Sequence, residues 1–251
     1  MQDFVHLHVH TYYSILDGQS PIKKLVTKAI DNGMRGMAIT DHGDMFGIKE
    51  FFDICNDVNS KRKKDGLDPF KPIFGCEMYG ARRGMAKKDQ QHIDRGGWHL
   101  IVLAKNMKGY RNLIKLVSNS WVDGFYGRPR TDHADLEKYK EGLIVIVSGM
   151  NSEIANYAIA GDMDKASFVG EWDKSTFGDD FYLGIKRNET LFKSETPNAD
   201  NMLKKVWSAY IKIDTEYNLK SVCVNSCNYL NEEDGVVLDH LLAIANNTTL
   251  D

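Results

Sequence analysis

Short apolar runs rich in β-branched residues alternate along this chain with segments whose apolar residues recur every three or four positions, and few architectures accept that pattern. The runs are Phe4–His8, Gly36–Thr40, Ile73–Glu77, His99–Leu103, Leu143–Val147, Phe181–Ile185 and Ser221–Asn225, which makes seven candidate strands. The segments between them predict helices over Ser20–Asn32, Phe46–Arg62, Lys108–Ser120, Ser152–Ala160, Met163–Trp172, Asn201–Tyr217 and Glu232–Ala245. Ser20 opens the first, Pro21 suits its first turn and Gly33 stops it. Strands that are apolar throughout need cover on both faces, so the expectation is an α/β fold with a parallel sheet of βα units.

A length of 251 residues supports one sizeable core. No repeat, low-complexity tract or linker interrupts it, so a single domain over residues 1–251 is expected. The net charge of -3 excludes a surface devoted wholly to polyanions and leaves nucleic acid to be argued from a local site. Cys55, Cys76, Cys223 and Cys227 form no C-x-x-C pair and read as reduced thiols. With no signal-like start and no apolar window of membrane length, a cytoplasmic protein without membrane contact is expected.

The connectors that follow strands, Arg82–Gly97, Gly124–Asp132 and Lys186–Asp200, are long and polar or glycine-rich, and in barrels such loops build the active face. Residues able to bind metal gather near the strand ends. His8 and His10 end the first strand and share a face by alternation, with Leu7 and Val9 on the other. Asp17 lies on the loop after it, Asp41 and His42 follow the second strand, Glu77 ends the third and His99 starts the fourth. Imidazole and carboxylate without thiolate are the donors of a catalytic type of metal site. The isolated His92, His133 and His240 read as surface or hydrogen-bonded residues, and Lys61–Lys64 as the solvated end of a helix.

Together, HLHVHTYYSILDG, AITDHGDMFGIKEFF, KPIFGCEMY, HLIVLAKNMKGYRNLIKLVS, GFYGRPRTD, EGLIVIVSG and LLAIANNTTLD resemble the PHP (polymerase and histidinol phosphatase) domains. The resemblance is closest to those at the N-terminus of bacterial DNA polymerase III alpha subunits, and HTYYSILDG and GFYGRPR set the chain apart from stand-alone PHP phosphatases. It implies a distorted (β/α)7 barrel with up to three ions held by nine residues. His8, His10, Asp17, His42, Glu77 and His99 match six of those positions. The other three fall on Met150, Ser226 and Asn228, a thioether, a hydroxyl and an amide where the family places a thiol, an aspartate and a histidine.

Those replacements are poor ligands. The resemblance therefore implies one or two zinc or manganese ions at reduced occupancy, or none, and no catalytic residue is assigned. It places Lys105 and Arg130 as contacts for a phosphate, and His6 and Asp41 as hydrogen-bonding support for the ligands. The partners it implies are the remainder of the polymerase chain, DNA through that chain, and other replisome subunits. A metal-dependent 3′ to 5′ exonuclease and a PHP-type phosphoesterase are the alternatives, both weakened by the lost ligands.

Overall fold

A computed structural model describes residues 4–186 and 199–250, so most of the Lys186–Asp200 connector lies outside the described residues. The chain divides into two compact units, Met1–Cys76 with Ser226–Asp251, and Glu77–Asn225.

In the first unit, β1 (His8–Val9) lies parallel to β9 (Ser226–Cys227), with His8 opposite Ser226 and Val9 opposite Cys227. Strand β2 (Gly36–Ile39) pairs in parallel with the first half of β3 (Lys71–Gly80). Helix α1 (Ile22–Asp31) buries Ile22, Leu25, Val26 and Ala29, and α2 (Ile48–Lys64) buries Ile48, Phe51 and Cys55, one stripe on each. The unit ends in the tight turn Glu232–Asp234 and helix α9 (Gly235–Asn246).

Strand β1 is shorter and later than the expected Phe4–His8, for a visible reason. Ala38 N–H donates to the His6 carbonyl at 2.8 Å, but Val9 N–H goes to the Thr40 hydroxyl at 2.9 Å rather than to a backbone carbonyl. A side chain thus takes one place in the ladder, while Thr40 N–H still donates to the Val9 carbonyl at 2.9 Å. Ser20 was expected to open α1, yet Pro21 is the cap residue and makes no side-chain bond, while the buried Ser20 hydroxyl finds no hydrogen-bond partner among the described residues.

The second unit contains the rest of β3, then α3 (Gln91–Asp94), β4 (Trp98–Ala104), α4 (Met107–Val122), β5 (Arg130–Thr131) and α5 (His133–Tyr139). It continues with β6 (Leu143–Ser148), α6 (Glu153–Ala160), α7 (Met163–Phe177), β7 (Phe181–Ile185), α8 (Ala199–Tyr217) and β8 (Lys220–Cys223). The strand order is β3-β4-β6-β7-β8, with β5 beside β3. Asn106, Ser152 and Asp162 cap α4, α6 and α7 through their side chains.

One expectation needs correcting, because the sheet is not wholly parallel: β4 runs antiparallel to β6, with Ile101 opposite Ile146. The stretch joining them holds α4, β5 and α5 rather than one crossover helix, so the chain returns in the opposite direction. β3–β5, β6–β7 and β7–β8 are parallel. The expected loops Arg82–Gly97 and Gly124–Asp132 also carry short elements, α3 and β5. The α/β, PHP-type fold expected from the sequence is what these elements build.

Candidate metal centre

In the first unit, the extended backbone at β1 turns both ring side chains of His8 and His10 the same way, and their Nε2 atoms lie 3.0 Å apart. The chain then folds into a compact turn in which Asp17 and Gly18 N–H donate to the Ser14 carbonyl at 3.0 and 2.7 Å. Leu16 takes a left-handed φ of 69° there, a conformation that costs a branched residue of order 1 kcal/mol and aims Asp17 inward. Gly18 has no alternative, since a Cβ would sit 2.1 Å from the Thr11 carbonyl oxygen. His42, delivered by the turn after β2, places Nε2 2.5 Å from Asp17 Oδ2, and its ring stacks on His10 at 4.2 Å. One ligand atom from each of His10, Asp17 and His42 lies within 4.8 Å of the others.

Asp41 supports this arrangement from behind. Its buried carboxylate accepts from Thr11 N–H at 2.7 Å, Thr11 Oγ1 at 2.9 Å and Ser14 Oγ at 2.6 Å. The single Ser14 hydroxyl proton is therefore spent on Asp41, and the same oxygen accepts from His42 N–H at 3.2 Å. His10 Nδ1, 3.1 Å from that oxygen, must be the donor, which leaves the His10 lone pair on Nε2, beside His8 Nε2. Nitrogens bound to one ion at about 2.0–2.1 Å stand roughly 2.9–3.4 Å apart, so the pair fits zinc or manganese. Thr11 and Ser14 were missed by sequence reasoning; the signal available was a hydroxyl four residues beyond His10.

Two degenerate positions lie in this unit. Ser226 Oγ donates to Asn228 Oδ1 at 2.8 Å, and Asn228 Nδ2 donates to the Asp17 carbonyl at 2.9 Å. Side chains at these positions thus hold the Asp17 turn by hydrogen bonds. Cys227, on the other side of the strand, puts Sγ 3.2 Å from His6 Nδ1. Phe4 packs edge-on against the His6 ring, and burial lowers the His6 pKa. Asp44, two residues beyond His42, is pushed up to about 6, mainly by burial.

In the second unit, Glu77 is buried and its Oε1 lies 2.6 Å from His99 Nδ1, with the Tyr79 ring edge-on to the imidazole. His99 N–H donates to the Asn151 carbonyl at 2.9 Å, which brings the Met150 loop beside this pair. Asn156 Nδ2 donates to the Met150 carbonyl at 2.9 Å.

The two expected phosphate contacts are otherwise engaged. Arg130 is 0% exposed, and its guanidinium donates to the backbone carbonyls of Gly124, Lys87, Asp94 and Met85 at 2.6–3.2 Å. Four of its donors serve the 82–97 loop and Nε serves Gly124, so it presents none to a phosphate. Lys105 follows the last residue of β4 while His99 is near its first, a separation of roughly 20 Å at about 3.3 Å per residue. Its ammonium sits on Asp180, 2.8 Å from both oxygens.

Residues 6–188 match the family model described as the PHP domain. The chain is 36% identical over 241 residues to the DNA polymerase III subunit alpha of Borreliella burgdorferi, covering 96% of this chain and 19% of that protein. It is 34% identical over 254 residues to that of Aquifex aeolicus, covering 99% and 20%. The chain thus spans about a fifth of the length of the curated relatives it matches, in their N-terminal region. Among solved structures, a histidinol phosphate phosphatase from Lactococcus lactis, complexed with zinc, L-histidinol and phosphate, aligns with a TM-score of 0.40 and 12% identity, covering 96% of this chain and 93% of that one. With its HLHVH strand, its TDH turn and a model match over most of its length, the chain belongs to the PHP domain family, in the form found at the N-terminus of DNA polymerase III alpha subunits.

Proposed function

We propose that this chain is the PHP domain of a replicative DNA polymerase, a single domain over residues 1–251, in which a reduced metal centre serves mainly to hold the fold. Nucleotidyl transfer to a primer then belongs to the longer chain, working in the cytoplasm with DNA and other replisome subunits. Family membership supports joining Glu77 and His99 to His8, His10, Asp17 and His42 as ligands of one centre, with one or two zinc or manganese ions. A bound ion would supply Lewis-acid polarisation of a phosphate oxygen. This chain's part is to keep Nε2 of His10 deprotonated through Ser14 and to hold Asp17 in its turn.

The observation that carries the structural reading is the Ser226–Asn228–Asp17 chain of hydrogen bonds, in which positions expected to ligate bind the protein instead. The second reading, metal-dependent removal of nucleotides from a 3′ end, is favoured by the intact His8, His10, Asp17 and His42 cluster. Metal analysis of the purified chain, together with a 3′ nucleotide-release assay in added manganese or zinc, separates the two. Substoichiometric metal and no release agree with the first. Release that is lost in His8→Ala establishes the second.

A further inference from the structure

Helix α9, GVVLDHLLAIAN, is apolar around most of its circumference, yet none of its residues is buried. Val236 is 62% exposed, Val237 48% and Ile244 66%. Spacings of four and eight residues put Val236, His240 and Ile244 on one stripe, with Val237 beside it. His240 does not interrupt the stripe, because its Nδ1 is turned onto the Val236 carbonyl at 2.6 Å. The helix is also firmly terminated. Asn231 and Asp234 form a capping box on the turn Glu232–Asp234 that leads directly into it, and Asn247 takes a left-handed φ of 52° at its end, with Thr248 N–H on the Ala243 carbonyl at 2.9 Å. A formed helix this apolar is ordinarily covered, and an exposed stripe of this kind marks a docking surface.

We propose that the Val236–Ile244 stripe is covered by the polymerase portion that follows this domain in the full-length chain, an inference that rests on the polymerase reading above. The relatives share nearly the whole of this chain but carry about four fifths of their own length outside the match. Helix α9 borders that remainder, so a partner on the same chain meets it at high effective concentration. Asp239 and Asn246 flank the stripe on one side, outside the Val236–Val237–Ile244 face, which calls for an apolar partner face with a polar rim.

The test uses the full-length polymerase chain, with a photoreactive benzoylphenylalanine placed at residue 237 and, separately, at residue 244. Crosslinks from both positions to residues beyond 251 of the same molecule are expected, and Ile244→Asp should lower the melting temperature of the full chain by several degrees. Crosslinks to a second copy, or no crosslink at either position, overturn the proposal. Primer extension is measured on the same preparation: a chain that does not extend a primer overturns the polymerase reading and leaves the mapped crosslinks to decide the docking surface on their own.

Discussion

Each unit buries a charged cluster, and the two are built on opposite principles. The first gathers the imidazoles of His8, His10 and His42 around Asp17, with Asp41 behind, so nitrogen and oxygen atoms that an ion could bridge meet in hydrogen bonds of 2.5–3.0 Å. The second unit's Arg83, Asp94 and Arg130 are closed by one another, by Asp89 and by the backbone. Arg83 grips Asp94 with two nitrogens at 2.9 and 2.5 Å, and Arg130 saturates a loop's carbonyls. Burial of charge is common to both, and only the balance of donors and acceptors separates a site that can take an ion from one that is complete without it.

The largest expected effect breaks the closed cluster. Arg130→Ala strands the carbonyls of Met85, Lys87, Asp94 and Gly124 and should cost about 3–5 kcal/mol, read by urea unfolding, with metal affinity unchanged if the clusters are independent. His10→Ala should abolish measurable zinc or manganese binding by calorimetry, a larger loss than the about 10–100-fold typical of a supporting residue. Ser14→Ala belongs to that supporting class, lowering affinity by about 10–100-fold through the lost His10 tautomer. The double variant Ser226→Asp with Asn228→His sharpens the contrast. Without metal it should lose about 1 kcal/mol, because Asp17 loses its amide donor. With metal it should regain stability and bind about tenfold tighter, and equal affinity would show that these positions lie outside the ligand set.

The smallest effect is a pH dependence. The Arg83 hydrogen bonds hold the Asp94 carboxyl down to about 2 against an ordinary 3.8. Its support for folding is thus complete above about pH 4 and is lost as pH falls through 2. Asp94→Asn should flatten this part of the acid-unfolding curve followed by tryptophan fluorescence.

Much of this was legible in the sequence, because apolar periodicity reports what a segment must bury. Strands β2, β4, β6 and β7 and helices α4, α6 and α8 follow it closely. The two-residue strands β5 and β9 are too short to carry a period, and α5 is announced only by Asp132, which caps it through Asp135 N–H at 3.0 Å. The direction of β4 against β6 depends on what joins them, which periodicity does not encode. In the site, His8, His10 and His42 were visible from residue type and spacing. Ser14 was not, because a hydroxyl among polar loop residues reveals its role only when its proton is followed to Asp41. Arg130 was placed beside a phosphate by the resemblance alone, and nothing in its neighbours along the chain announces that the folded 82–97 loop turns carbonyls inward to bury it.

The hydrogen bond from Asn228 to Asp17 joins positions 211 residues apart, and β1 pairs with a strand that leaves the ribosome equally late. At about 5–20 residues per second, synthesis of the intervening second unit takes on the order of 10–30 s. Throughout that time the HLHVH strand waits for β9 while Glu77–Asn225 can close on itself. The histidines thus have their β2 neighbours within some forty residues of synthesis, while β9 and the Asn228 amide that braces Asp17 arrive only after the whole second unit has been made.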